Sequence, residues 1–284
     1  METVEKVVPE HGKLPLKQVH RYLTRFGYVS RKASPKDTSA TLQALARYQE
    51  LYGIGGNGDE RTKLTLGTMV LRRCGVVDAV SGEPKKGCPW PIDQKILVYD
   101  IENETKDLAP GESRAAIHEA IAIWNDVLAE LTIPLQLKER EGEDKVHVRF
   151  SWKTKDPDMP FSLLPVAHAD FPPACGTLSQ TLPRPVHFAE EEDWNVDGSE
   201  PDRLSIVFVA VHEIGHILGL AHSFDPASVM FSSLQHPDEP AEIDKEKLRE
   251  LYKEHIELKA QAPAGGPGTF VPAPVPANGA QPPA

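Results

Sequence analysis

The chain has 284 residues, of which 40% are hydrophobic, and a formal net charge of −11 at pH 7. This length is sufficient for two domains, and the apolar fraction is ordinary for a globular protein. We expect no nucleic-acid partner, because no basic cluster is long enough to form an electrostatic footprint. We also expect no membrane span, because no apolar run approaches the roughly 20 residues that a bilayer requires.

Residues 1–80 are predicted to form a small helical domain. Apolar residues recur at helical spacing from Leu16 to Phe26, and Thr38 is predicted to cap a second helix. A glycine-rich turn precedes a third helix that opens at Asp59. The domain ends in the segment Arg72-Arg73-Cys74-Gly75-Val76-Val77-Asp78.

Residues 81–88 are predicted to be an exposed linker, because they are polar and contain glycine and proline. Exposed loops of this kind are preferred sites of proteolytic nicking. Lys85 and Lys86 would suit a protease of basic specificity, and a merely solvated loop would explain them equally well.

Residues 89–257 mix strands with long helices, which predicts an α+β domain. Residues 258–284 are rich in proline, alanine and glycine and are predicted to be a disordered tail. Strands are predicted at 96–99, 146–150, 165–169 and 185–188, and helices at 113–131, 202–219 and 244–255.

Residues 212–222 read H-E-x-x-H-x-x-G-x-x-H. On a helix His212 and His216 project from one face, whereas a continued helix would carry His222 about 9 Å further along the axis. Gly219 is therefore predicted to end the helix in the left-handed conformation and turn the chain back. Three imidazoles leave a Zn²⁺ one open position, where a bound water has a pKa of roughly 7 and Glu213 would act as general base.

This motif, the Cys74 segment and the stretch 225–231 together resemble the matrixins, the matrix-metalloproteinase-type zymogens of the metzincin clan, over roughly residues 14–257. The resemblance implies a catalytic domain with a twisted mixed sheet and long helices. It also implies a preceding three-helix pro-domain of the peptidoglycan-binding-like type. In that family a methionine packs beneath the three ligands as an apolar floor, which here would be Met230.

The resemblance assigns an inhibitory role to the end of the pro-domain. Cys74 would be the fourth zinc ligand and exclude the catalytic water, and Arg73 and Asp78 would pair to hold the segment in the cleft. Arg72 and Val77 stand where the family usually has prolines. Because proline restricts the backbone, we expect looser inhibition than in the family at large.

The strand that carries Val166 and Ala167 would be an edge that binds the substrate backbone in antiparallel fashion. The substrates would be proteins or peptides. A hydrophobic pocket beside the zinc would favour a bulky apolar residue just after the scissile bond.

Further metal sites match the family only in part. His168 and His187 correspond to two ligands of a structural zinc, but the first imidazole of that site is missing, and Asp156 or Asp158 is the candidate carboxylate. Glu192 could take part in a Ca²⁺ site, for which a solvated acidic loop is the alternative.

The chain has three cysteines, so at least one thiol is unpaired within it. One hypothesis pairs Cys88 with Cys175 and leaves Cys74 free for zinc, which requires an oxidising compartment. The alternative is that Cys88 and Cys175 are reduced and inert. The resemblance implies secretion, yet the first residues lack the features of a signal peptide, so a cytosolic protein also stays open.

The sequence thus predicts a monomeric latent zinc endopeptidase that an activating protease releases. A cell-wall (peptidoglycan) binding protein with a secondary or inactive peptidase domain is the alternative. A zinc-bound but inactive homologue is less consistent with the motif, because Glu213 and all three histidines are present.

Overall fold

Two hydrophobic cores organise the chain, a small one among the N-terminal helices and a larger one between a sheet and two long helices. The computed structural model describes residues 15–56, 58–155, 165–176, 178, 181–200, 202–234 and 239–261. In these residues no helix has the length and apolar character needed to cross a membrane.

The N-terminal region contains the three helices that the sequence predicts. They are α1 (Leu16–Arg25), α2 (Thr38–Leu51) and α3 (Gly58–Met69). The predicted cap of α2 was wrong by one residue. The Asp37 side chain accepts a hydrogen bond from the Ala40 amide at 3.0 Å, so Asp37 caps the helix and Thr38 is its first residue.

The larger region is built on a mixed sheet of six strands, which in spatial order are β1 (Arg73–Cys74), β7 (Pro165–Ala169), β8 (Arg184–Ala189), β6 (Val148–Lys153), β4 (Ile96–Ile101) and β5 (Gln136–Glu139). Within it β7 and β8 are antiparallel and the other pairs are parallel. Two separate pairs of short strands are also present in the described residues, β2 (Ala79–Val80) with β3 (Glu83–Pro84) and β9 (Trp194–Asn195) with β10 (Leu204–Ser205).

The larger region also contains four helices within the described residues. They are α4 (Glu112–Glu130), α5 (Ile206–Ile217), α6 (Glu242–Leu251) and α7 (Lys253–Gln261), with a short 3₁₀ turn at Pro173–Cys175. The indole of Trp124 on α4 donates to the Val211 carbonyl of α5 at 2.7 Å, which joins the two central helices. The predicted α+β fold with a mixed sheet is confirmed.

Several predicted boundaries differ from the structure. Helix α5 begins at Ile206 rather than near 202, because Leu204–Ser205 pair with β9 and the Ser205 hydroxyl accepts from the Phe208 amide at 3.2 Å. The single helix predicted over 244–255 is divided into α6 and α7. Helix α7 continues through Gln261, past the domain end predicted at 257, and residues 262–284 of the predicted tail lie outside the described residues.

The predicted linker is more ordered than an exposed loop. Strands β2 and β3 form an antiparallel hairpin, and the amides of Asp78 and Ala79 both donate to the Phe26 carbonyl of the helical region. The hairpin turn at Ser81 and Gly82 has positive φ angles of 54° and 87°. Within the linker Ser81, Glu83, Lys86 and Gly87 are exposed, whereas Cys88 is buried.

Candidate metal centre

Helix α5 and the turn that follows it bring three imidazoles together. The Nε2 atom of His222 lies 3.3 Å from Nε2 of His212 and 3.2 Å from Nε2 of His216. His212 and His216 share one face of α5, as their spacing predicts, and all three rings are buried. The predicted convergence of the three side chains is therefore present.

Gly219 makes the return of His222 possible. Its φ of 98° lies in the left-handed region, and a Cβ atom there would stand 1.9 Å from the carbonyl oxygen of Cys88. The Cys88 amide in turn donates to the Gly219 carbonyl at 2.8 Å. Both the backbone conformation and the close approach exclude a side chain at this position.

The second nitrogen of each ring has an acceptor of its own. In all three imidazoles Nδ1 lies 2.7 Å from an oxygen, so Nδ1 carries the proton and Nε2 presents its lone pair. The acceptors are the Val229 carbonyl for His212, the Leu220 carbonyl for His216 and the Asp78 carboxylate for His222.

This arrangement fits a metal ion. The lone pair of His222 Nε2 lies within 3.3 Å of the Nε2 atoms of both other rings, and such lone pairs repel one another unless a cation lies between them. With the sulfur of Cys74, the four ligand atoms lie within 4.8 Å of one another. Burial and the neighbouring rings lower the pKa of His216, and burial lowers that of His222, so both are in the neutral form that binds metals. Three nitrogens and one sulfur are a donor set typical of Zn²⁺.

Cys74 enters this group from β1, which adds to the outer side of β7. Its sulfur lies 3.5 Å from Nε2 of His216, and its amide donates to the Ser232 carbonyl at 3.0 Å. Burial and the Glu213 carboxylate raise the pKa of the Cys74 thiol, whereas a bound zinc would favour the thiolate.

The edge predicted at Val166 and Ala167 is not free in this structure. Strand β7 pairs with β1 in parallel, and the Gly75 amide donates to the Ala167 carbonyl at 2.8 Å. Residues of the chain itself therefore occupy the edge where a substrate backbone was predicted to bind.

Arg73 and Asp78 form a buried ion pair at 2.5 Å. The Arg73 guanidinium also lies 3.5 Å over the centre of the Phe26 ring, and Asp78 accepts from the Tyr28 hydroxyl at 2.9 Å. Burial opposes ionisation of Asp78, but Arg73 and His222 hold its pKa at about 2. The ionised pair thus attaches the Cys74 segment to the helical region through Phe26 and Tyr28.

Glu213 is fully buried one residue after His212, and its carboxyl group interacts with the Cys74 thiol. Burial raises the pKa of its carboxyl to about 8. A carboxyl group with a pKa raised by burial can both accept and release a proton near neutral pH, whereas an exposed carboxyl group is almost fully ionised there.

Met230 is fully buried and packs against α5 at Gly215, and its role as a floor beneath the imidazoles stays a prediction. Gly215 is a residue that the sequence-based predictions did not include. A Cβ on Gly215 would lie 2.3 Å from the Met230 sulfur, so any other residue there would displace the methionine side chain. Asp244 holds the same turn, because it accepts from the Ser228 hydroxyl and, at 3.0 Å, from the Val229 amide. Gly215 inside a helix was the available signal, since glycine there needs a packing reason.

Trp90 is a second residue that sequence reasoning missed. Its indole donates to the Ile217 carbonyl at 2.7 Å, and the Tyr252 hydroxyl donates to the Leu218 carbonyl at 2.8 Å. These carbonyls end α5, where intrahelical donors are lacking.

A disulfide joins Cys88 to Cys175, as one of the two hypotheses predicted, and Cys74 is the free cysteine.

The residues proposed for further metals are only partly described. His168 and His187 face each other across β7 and β8 with ring centres 5.0 Å apart. Asp156 and Asp158 lie outside the described residues. Glu192 pairs with Arg72 at 3.3 Å, and a role in binding Ca²⁺ stays a prediction.

Comparison with known proteins agrees with this architecture. Residues 89–253 match the family model described as matrixin. Human matrix metalloproteinase-16 is 31% identical over 232 residues, which are 75% of this chain and 37% of that protein. Matrix metalloproteinase-C of Caenorhabditis elegans is 30% identical over 74% of this chain and 37% of its own length. Human matrix metalloproteinase-15 is 29% identical over 286 residues, which are 90% of this chain and 40% of that protein.

The chain therefore belongs to the matrixin family. It spans less than half of the length of these curated relatives.

Proposed function

We propose that this protein is a latent zinc-dependent endopeptidase that its own Cys74 inhibits. The single observation that carries the proposal is the buried group formed by that sulfur and three imidazoles, with ligand atoms within 4.8 Å. A catalytic zinc site has three protein ligands and one open position, and here the fourth donor comes from a separate N-terminal segment.

The proposed chemistry uses the chain's own residues around this centre. His212, His216 and His222 would hold Zn²⁺, which when bound lowers the pKa of water and polarises a carbonyl group. Glu213 would take a proton from the attacking water and pass it to the leaving amine nitrogen as the carbon–nitrogen bond breaks. Met230 would support the imidazoles from below.

Latency would follow from two contacts of the N-terminal segment. Cys74 would occupy the position of the catalytic water, and β1 covers the edge of β7 that a substrate would need. Arg73 and Asp78 would hold the segment in place through their buried ion pair. Arg72 and Val77 lack the restriction of the usual prolines, so we expect some activity before cleavage.

Activation would require cleavage within the linker. The Ser81–Gly82 turn and Lys86 are the accessible candidates, whereas Lys85 is half-buried over the Phe171 ring at 4.1 Å. Cys88 would stay with the catalytic region after the cut, because its disulfide links it to Cys175. The same disulfide supports an oxidising, extracellular location.

The substrates proposed are proteins or peptides. Monomeric state, a second zinc, bound Ca²⁺ and binding of cell-wall glycan by α1–α3 stay predictions. A pull-down with peptidoglycan tests the last of these, and retention that depends on the helices would favour the binding-protein alternative.

The decisive experiment measures peptide hydrolysis by three zinc-loaded proteins: the full chain, Cys74→Ser, and Cys74→Ser with Glu213→Ala. We expect activity to rise in Cys74→Ser and to be abolished by the second substitution. Activity that is already present in the full chain would indicate a leaky inhibitory segment.

Two results would count against the proposal. Equal activity of the full chain and of Cys74→Ser would show that Cys74 does not inhibit the enzyme. Because β1 also covers the edge of β7, the three proteins are assayed again after cleavage in the linker; silence of all three there, with zinc bound and a broad peptide library, would favour a binding function.

A further inference from the structure

The three candidate zinc ligands differ in what holds their second ring nitrogen. For His212 and His216 the acceptor is a backbone carbonyl in the segment 220–229, which belongs to the catalytic region. For His222 the acceptor is a carboxylate oxygen of Asp78, at 2.7 Å, from the N-terminal segment. The third ligand is thus oriented by a part of the chain that activation would displace.

Asp78 is itself held firmly for this contact. Its carboxylate pairs with Arg73 at 2.5 Å and accepts from the Tyr28 hydroxyl at 2.9 Å. The side chains of Asp78 and His222 are fully buried, so water does not compete at this contact. A carboxylate that accepts a hydrogen bond from Nδ1–H fixes the tautomer, orients the ring and makes Nε2 a stronger electron-pair donor to a metal.

We propose that Asp78 is a positioning residue for the third zinc ligand. The latent protein would then hold Zn²⁺ more tightly than the form from which residues 72–78 have withdrawn. This rests on the proposed function, because it concerns the same zinc site. It adds a second effect of the segment, which supports the metal through His222 while it blocks the open position through Cys74.

The test must separate this effect from the ligand role of Cys74. A change at Asp78 would also loosen Arg73 and thereby move the sulfur. All variants are therefore made in the Cys74→Ser background, where no thiolate contributes. Protection of the amides of residues 74 and 75 from hydrogen exchange reports whether the segment stays docked, because both donate to backbone carbonyls.

The experiment measures the zinc dissociation constant of the full chain by competition with a chromophoric chelator. Relative to Cys74→Ser alone, we expect Asp78→Ala to raise the constant about 10- to 100-fold. Asp78→Asn retains an acceptor oxygen and should raise it less. In proton spectra of the zinc-loaded protein, one of three slowly exchanging imidazole N–H signals should disappear in Asp78→Ala and only shift in Asp78→Asn.

Two outcomes would overturn the inference. One is a zinc constant for Asp78→Ala equal to that of Cys74→Ser with all three N–H signals retained. The other is an equal loss of affinity in both Asp78 variants with unprotected amides, which would indicate undocking rather than loss of a partner. His216→Ala distinguishes failure of the proposed function, since unchanged zinc binding there would mean that zinc does not occupy this site.

Discussion

The catalytic region contains two groups of histidines that reach proximity in different ways. His212, His216 and His222 come from one helix and its return turn, within 11 consecutive residues. His168 and His187 come from two strands and meet through the antiparallel register of β7 and β8.

The difference shows what makes a metal site complete. In the helical group each Nδ1 has an acceptor and the Nε2 atoms converge on one point. The cross-strand pair supplies two imidazoles, and any further ligands must come from other segments. A helix followed by a glycine turn can supply three metal ligands from one short segment. A pair of strands supplies two, and the other ligands must come from segments that the fold brings nearby.

The largest effect should follow from His216→Ala in the Cys74→Ser background. Loss of the metal removes both water activation and carbonyl polarisation, so hydrolysis should fall by more than about 10⁴-fold, the upper range of general acid–base catalysis alone. Zinc content by atomic absorption and peptide hydrolysis provide the measurement. A variant that keeps both its zinc at this site and its activity would contradict the assignment.

A smaller but still severe effect is expected from Gly219→Ala, which tests the turn that returns His222. The substitution combines a left-handed φ with a Cβ placed 1.9 Å from the Cys88 carbonyl oxygen, and we expect a loss of unfolding free energy well above about 1 kcal/mol. Urea unfolding measures it.

Gly111→Ala is the matched control, because Gly111 has a φ of 93° and open space around a Cβ atom. This variant measures the loss of stability that a left-handed φ alone causes, without a steric clash. Equal destabilisation by the two substitutions would show that the contact with Cys88 is unimportant.

Trp90→Phe should have an intermediate effect, because it removes the donor to the Ile217 carbonyl at the end of α5. An unsatisfied buried carbonyl costs about 1–3 kcal/mol. Trp124→Phe changes the volume equally, but the Val211 carbonyl lies inside α5 and retains an intrahelical donor. A larger loss of stability in the Trp124 variant would refute this account of Trp90.

The smallest effect on catalysis is expected from His187→Asn in the Cys74→Ser background. The rate of peptide hydrolysis should stay unchanged, because His187 lies on β8 and not among the catalytic ligands. If the cross-strand pair binds a second zinc, the zinc content should fall by one equivalent. A large loss of activity with stable folding would show that the two groups are coupled.

Local patterns in the sequence determined the helical part of this molecule and the core of its metal site. The spacing of His212 and His216, the turn at Gly219 and the helices of the N-terminal region follow from helical periodicity and glycine conformation, which act within a few residues. The α+β class likewise followed from the alternation of strands and helices.

The tertiary structure alone decided the contacts between distant segments. Asp78 meets His222 across 144 positions, Cys88 pairs with Cys175 across 87, and β1 adds to the edge of β7. No periodicity specifies such contacts, because they arise when separately formed elements pack and bury their polar groups in pairs. The sequence therefore predicted which residues could hold the metal and, through the family resemblance, that Cys74 would cover it, whereas the packing of the N-terminal segment decided that Asp78 contacts His222.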